Sequence, residues 1–457
     1  MKRQSKRDLI RSRSCDGCGR GEVDTSGTID QLATEAGPGP ELERQCRRIA
    51  ESLLDGTVVP VLGAGANLCD RDRSAGWHPH QQRYLPNGRE LAEHLARLFE
   101  YPLASVAAAE SAALEESVLP DEDGLPRVSQ YVADVRGPGS LYENLHKIFN
   151  ADYPPTQVHQ LVAALAAVRP PMLVLTTNYD DALERAFRDA ELPYRLITYV
   201  AEGRDGIRGH FVHSRWKPGS KGSDEPKLIG KRNRCSDLLA DGTPVIAKIH
   251  GTVRRGQGFL DDSYVITETD FVDYLTDSDV WNVLPPPIGA KLKESHLLFM
   301  GYGLRDWNLR VMLHRAWSQQ LLRLESWAIR DDADAVEVTL WQHRMVTTLS
   351  HDLKPFVVAL ARSFSRVFLE QLWHRDAQER GRMIDDMGPD DVGLRLFMRT
   401  FLEDPTAVSK GIPKQHLEGF FETLLAGGRS RPLDALSERM LDSLPAALQA
   451  RIRTAVQ

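Results

Sequence analysis

The chain has 457 residues, 57 basic against 64 acidic side chains, a formal net charge of −7 and 42% apolar content. That length predicts two or three domains at roughly 150 residues each, and a mildly acidic globular composition excludes a global polyanion binder while leaving room for a local basic surface. No apolar run approaches the ~18 residues of a membrane span, and the charged start lacks the apolar segment of a secretory signal, so a cytoplasmic protein with no membrane partner is expected.

Residues 1–40 are rich in Arg, Ser, Gly and Asp, carry a basic run from Lys2 to Arg13, and read as a mobile basic tail. The five cysteines are scattered, so no disulfide framework is expected. Cys15 and Cys18 form a lone CxxC, and a structural zinc site needs two further ligands. No metal is expected.

From Glu41 the pattern changes. ELERQCRRIAESLLDG has helical apolar spacing and a glycine stop, and the run Val58 to Leu62 (VVPVL) reads as a buried parallel strand. Similar runs recur at Met172 to Thr177, Val245 to Ile249 and His296 to Gly301. Helical patterns lie between and after them, including PTQVHQLVAALAAV, DDALERAFRDA and DWNLRVMLHRAWSQQL. Strands alternating with helices predict an α/β fold, a Rossmann-like parallel sheet with helices on both faces.

The polar, basic stretch from Ala201 to Gly242 breaks the rhythm and reads as an insertion, with a lid or binding loop among its expected roles. SWAI, a helical DADAVEVTLWQHR and then MVTTLS close the sheet by about Leu360, so the catalytic domain is expected over 41–365. A small all-helical C-terminal module is expected over 366–457, with Leu433, Leu436, Met440, Leu441 and Leu444 on one apolar stripe. The insertion is expected to act as a gate and the module as an assembly element.

Each principal strand ends in a polar or glycine cluster: GAGAN (Gly63 to Asn67), NYDD (Asn178 to Asp181), HGT (His250 to Thr252) and GYGLRDWN (Gly301 to Asn308). In an open parallel sheet the carboxyl ends share one edge, where ligands bind, so the four clusters should converge. Gly63, Gly65, Gly301 and Gly303 allow close backbone approach. Asp180 and Asp181 are candidate helix caps, as is Asp306. Asn178 then has hydrogen-bonding capacity to spare, and His250 at a strand end is a candidate general base. His159, on a helical apolar pattern, reads as structural.

The ordered series GAGAN, TTNYD, KIHG and FMGYGLRDWN resembles the sirtuin superfamily, most closely the bacterial sirtuin-like domains of anti-phage defence proteins. The resemblance runs from about Glu41 to Leu360. It implies a fold that binds NAD, with Gly63, Ala64, Gly65 and Asn67 at the phosphates, Asn178 and Asp180 at the nicotinamide ribose and leaving-group pocket, and His250 as catalytic base. Gly301 and Gly303 would approach the adenosine half, with Asp306 beside it. Protein-deacylating sirtuins carry two CxxC pairs after the catalytic histidine, whereas no cysteine here follows Cys235. The implied activity is therefore hydrolysis of NAD to nicotinamide and ADP-ribose by a conditionally activated defence effector. Its implied partners are a second copy of the chain, a defence-system protein or a phage-derived trigger. A protein deacylase, an ADP-ribosyltransferase and a non-catalytic NAD or ADP-ribose sensor are the alternatives.

Overall fold

Short apolar runs followed by a glycine or polar turn build the centre of the molecule. The computed structural model describes residues 39–81, 83–102, 124–169, 171–201, 207–220, 222–229, 238–255, 261–276, 284–302, 324–331, 334–387, 391–402 and 412–457. Its strands are β1 (Val58–Leu62), β2 (Leu173–Thr176), β3 (Tyr194–Val200), β4 (His210–Trp216), β5 (Lys227–Leu228), β6 (Val245–Lys248), β7 (Gly251–Thr252), β8 (Ser263–Tyr264), β9 (His296–Met300), β10 (Ser326–Ile329) and β11 (Val346–Leu349). Nine form one sheet in the order β11-β10-β9-β1-β2-β6-β3-β4-β5, and β7 pairs with β8 in a small ladder. From β11 to β3 every pairing is parallel, while β4 and β5 extend the edge antiparallel. This is the expected Rossmann-type arrangement with helices on both faces.

All five residues of β1 are buried, because both sheet faces are covered. Val58 and Leu62 face one core, and Val59 and Val61 the other. The first face is packed by α1 (Pro40–Leu54), whose Leu42, Cys46, Ile49, Ala50 and Leu53 repeat at helical spacing. A separate helical layer holds α2 (Gly88–Leu98), α3 (Leu125–Arg136) and α4 (Pro138–Phe149), with its own core around Val128, Leu141, Leu145 and Tyr264. The helices α5 (Gln157–Val168) and α6 (Ala182–Asp189) flank β2, and α7 (Glu268–Thr276) and α8 (Pro286–Lys293) precede β9. After β10 come α9 (Ala335–Gln342) and, beyond β11, the long α10 (Leu353–Trp373).

Three features differ from the sequence reading. First, the insertion 201–242 contains β4 and β5, and β3 precedes it. These strands escaped notice because one face of HFVHSRW carries His213 and Arg215, so the two-residue alternation reads as polar. Second, the division expected between 365 and 366 falls inside α10, which packs along α1 with Arg47 paired to Glu370 at 2.7 Å. The helices that follow, α11 (Ala377–Asp385), α12 (Val392–Phe401), α13 (Lys414–Ala426), α14 (Glu438–Asp442) and α15 (Ala446–Val456), share a continuous core with α1, α5 and the sheet. Pro40–Gln457 is accordingly one compact unit. Third, the expected leucine stripe is not one helix face. Leu433 lies in a 3-10 turn, Met440 and Leu441 in α14, and Leu444 after it, all buried.

Gly303, Asp306, the DWNLRV helix, Cys15, Cys18, Lys231, Arg232 and Arg234 lie outside the described residues. So does all of the basic tail but its last two residues. No described helix is long and apolar enough to cross a membrane.

Candidate functional site

The chain leaves β1 for β2 on one side and joins β9 to β10 on the other, so the strand order reverses between β1 and β9. Crevices outside the carboxyl ends at such a switch point are where ligands bind in open α/β sheets. The four strands with polar ends, β9, β1, β2 and β6, are consecutive and parallel in the sheet, so Gly301, Gly63, Asn178 and His250 follow strand ends along one edge.

At the switch point two glycine turns lock together. Gly63 N–H donates to Met300 O at 3.1 Å and Gly65 N–H to Gly301 O at 2.8 Å. Gly301 has φ +65°, and a Cβ there would sit 2.0 Å from Ala66 N. A Cβ on Gly63 would lie 2.6 Å from Gly301 O, and one on Gly65 2.8 Å from Gly301 Cα. The mutual approach of these backbones thus accounts for all three glycines. Ala64 opens the 3-10 turn Ala64–Leu68 that follows.

β2 is tied to this turn by two side chains. Asn178 Nδ2 donates to Gly63 O at 3.1 Å, and its backbone N–H donates to Thr176 Oγ1 at 3.1 Å. Among the described residues nothing donates to Asn178 Oδ1, although the residue is 9% exposed. Buried Asn67 donates from Nδ2 to Asp180 Oδ2 at 2.8 Å, while Asp180 Oδ1 accepts from Ala182 N–H at 3.0 Å. Asp180 is therefore the residue whose carboxylate caps α6. Asp181 instead pairs with Arg255 at 2.7 Å and Arg188 at 2.6 Å. Against the cost of burial, the Arg255 guanidinium holds the Asp181 carboxyl below its usual range.

Two residues that sequence reasoning passed over, Lys248 and Glu184, lie beneath this turn. Lys248, fully buried at the end of β6, donates to Glu184 Oε1 at 2.9 Å, to Tyr179 O at 3.3 Å and to Asp180 O. Burial pushes the Glu184 carboxyl up while the Lys248 ammonium pulls it down. The signal was present as a lysine interrupting the apolar run VIAKI. His159 acts in the same way on the other flank: its Nδ1 accepts from Thr156 N–H at 3.1 Å, closing a capping box on α5, and Thr156 Oγ1 donates to Ala66 O at 2.8 Å. Since Nδ1 is an acceptor, the ring proton of neutral His159 sits on Nε2. Burial pushes its pKa down to about 4.

His250 follows β6, with its ring edge-on to Phe271 and Tyr274 of α7 at centroid distances of 5.7 and 5.6 Å. Its side chain makes no hydrogen bond among the described residues. Burial pushes its pKa down to about 4, so the imidazole is neutral throughout the physiological range. Gly251 has φ +94°, and a Cβ would fall 2.0 Å from Ser263 O, which explains the HG pair by the β7–β8 contact. The site thus combines a neutral imidazole, a carboxamide oxygen without a donor and a carboxylate fixed by Asn67, on adjacent strand ends. Such a set can accept hydrogen bonds from hydroxyls or water. Among the described residues no group of His, Cys, Asp or Glu is placed to hold a metal ion.

Residues 172–349 match the family description of a SIR2-like domain. The chain contains a SIR2-like domain. The match runs from the start of β2 to the end of β11 and includes Asn178, Asp180, His250 and Gly301, with the GAGAN turn upstream of it. The chain is 24% identical over 215 residues to defense-associated sirtuin 2 of Bacillus subtilis, a stretch covering 46% of this chain and 17% of that relative. Among solved structures, a Sir2 enzyme is similar at TM-score 0.30 and 11% identity, covering 71% of this chain and 99% of that one. A mutant Sir2 homologue in complex with ADP-ribose is similar at TM-score 0.29 and 13% identity, covering 70% and 97%.

Proposed function

We propose that the SIR2-like domain hydrolyses NAD to nicotinamide and ADP-ribose, as a conditionally activated effector of anti-phage defence. The observation that carries this reading is the placement, on the adjacent strand ends of β2 and β6 beside the switch point, of Asn178 Oδ1 and a buried neutral His250. Nicotinamide leaves as a neutral base from a cationic pyridinium, so the bond electrons go to the ring nitrogen and no general acid is needed. The requirement is to stabilise an oxocarbenium-like centre and to deliver water to it. Asn178 holds the attacking water or a ribose hydroxyl through Oδ1, its own Nδ2 being fixed on Gly63. His250, uncharged, takes the proton that this water loses. The carboxylate of Asp180 faces the carboxamide end, and the turn around Ala64 meets the phosphates, with Gly301 on the adenosine side.

The test is chromatographic analysis of NAD, nicotinamide and ADP-ribose with the purified chain, alone and with extract of phage-infected cells. Asn178→Ala and His250→Ala should each slow turnover about a hundredfold or more, the scale of losing a transition-state contact or a general base. Near-parental turnover in either variant would remove that residue from the mechanism. Tight NAD binding without turnover under every condition would make the domain a sensor.

A further inference from the structure

The antiparallel edge of the sheet carries a second polar cluster, at the opposite end of the strands. In the register Arg195 lies opposite Arg215, Ile197 opposite His213, and His213 opposite Lys227. Side chains alternate by two along a strand, so Arg195, Arg215, His213 and Lys227 share one face. Arg195 is also level with Val245, the first residue of β6. His250 stands five residues further along, roughly 16 Å away at the usual strand rise. The cluster is therefore separate from the strand-end site.

Its charges and donors are incompletely answered. The Arg195 side chain is 3% exposed and pairs with Asp241, whose carboxylate also lies 3.9 Å from Arg215. Lys227 has no ion pair among the described residues, and Asp224 is the other carboxylate that acts on His213. Three cations thus face two carboxylates around a histidine. Among the described residues, Arg195 Nε, Arg215 Nε and His213 Nε2 are all buried without a hydrogen-bond partner. Buried polar atoms without partners are costly, and here two guanidinium donors and a ring nitrogen gather on one sheet face. The His213 ring is held below its usual pKa first by burial, then by Arg215, Arg195 and Lys227. The ladder register sets Lys227 directly opposite His213 and Arg215 two residues along the same strand, on the face the ring shares.

We propose that this shelf binds a phosphate group, Arg195 and Arg215 gripping its oxygens while His213 and Lys227 close on the rest. An acceptor-only group with several oxygens is what this donor set lacks, and paired guanidiniums match it in geometry and charge. Because Arg195 is anchored on β3 beside the core, the bound group would brace the insertion against the sheet. The ligand is distinct from the one proposed for the strand ends, and this site stands whether or not NAD is hydrolysed.

The experiment is calorimetric titration of the full chain with pyrophosphate, with and without saturating ADP-ribose. The expected result is binding that persists in ADP-ribose and weakens about tenfold or more in Arg215→Gln/Lys227→Gln, the scale of losing charge-assisted hydrogen bonds. Both substituted side chains reach the surface, and circular dichroism confirms that the variant is folded. Sulfate, whose charge is constant from about pH 8 to about pH 6, reads the histidine: its affinity should rise as pH falls in the parent chain and stay level in His213→Gln. Absence of pyrophosphate binding, its displacement by ADP-ribose, or unchanged affinity in the double variant would overturn the proposal. A loss of NAD turnover in His250→Ala with pyrophosphate binding intact would show the two sites to be independent.

Discussion

Asn178 and His250 were legible as single residues because each breaks the apolar rhythm of its strand at the carboxyl end, where the sheet gathers ligands. Lys248 and Glu184 were not, since a buried charge pair is a tertiary fact: one member is hidden in VIAKI and the other in the amphipathic pattern of α6. Their partnership makes a clear prediction. Lys248→Met leaves Glu184 buried and uncompensated, and should lower the unfolding free energy by about 3–5 kcal/mol in urea titrations. The depressed histidines predict a second outcome. His250 with a pKa of about 4 stays neutral as pH falls from about 8 to about 5.5, so NAD turnover should stay level across a window in which an ordinary histidine base, near 6.5, would lose roughly nine-tenths of its neutral form. A midpoint near 6.5 would contradict the buried neutral base. For stability the sign is the same for His159 and His250. Unfolding raises each pKa toward 6.5, so the unfolded chain binds more protons below that value and stability falls as pH drops from about 6.5 to about 4.

At the scale of elements, the four strands with polar ends followed from the order of apolar runs and turn residues, as did α1, α5, α6, α9 and β10–β11. The antiparallel edge did not, because polar residues on the outer face of β4 suppress the apolar signal on which strand assignment depends. The GAGAN turn shows a subtler difference: its glycines looked like room for a ligand, and the structure fills that room with the neighbouring turn. Gly301→Ala should therefore destabilise the fold by about 2 kcal/mol or more, from left-handed strain and collision with Ala66 N. Gly381→Ala, inside α11 with nothing within 4 Å of the added carbon, should stabilise it by about 0.5–1 kcal/mol. Thermal melting of the two variants side by side checks both signs, and equal shifts would refute the packing argument.

For the whole molecule, the helices beyond Leu360 belong to the interior. Phe364 and Phe368 of α10 stack with Phe397 and Phe401 of α12, and Phe397 meets Phe420 of α13. All five are essentially buried. A chain ended after residue 365 would cut the 21-residue α10 and expose Phe364 together with the faces of α1 and α5 that the missing segments cover. Such a truncation should be insoluble or lose cooperative unfolding, measured by calorimetry, and a soluble fragment with a sharp transition would restore an independent C-terminal module. The sequence hid this continuity because an amphipathic helix announces that it is buried without saying against what.

The interlocked turns bear on how natural variation at this site is to be interpreted. Gly63, Gly65 and Gly301 are required by each other's backbones, so selection for folding alone would keep them fixed, even in descendants that had lost every activity. Their persistence in a lineage is then no record of catalysis. The His250 ring makes no hydrogen bond among the described residues, so drift there, rather than at Asn178 whose amide also holds Gly63 O, would be the first trace of a domain that had stopped acting on the ligand proposed for it.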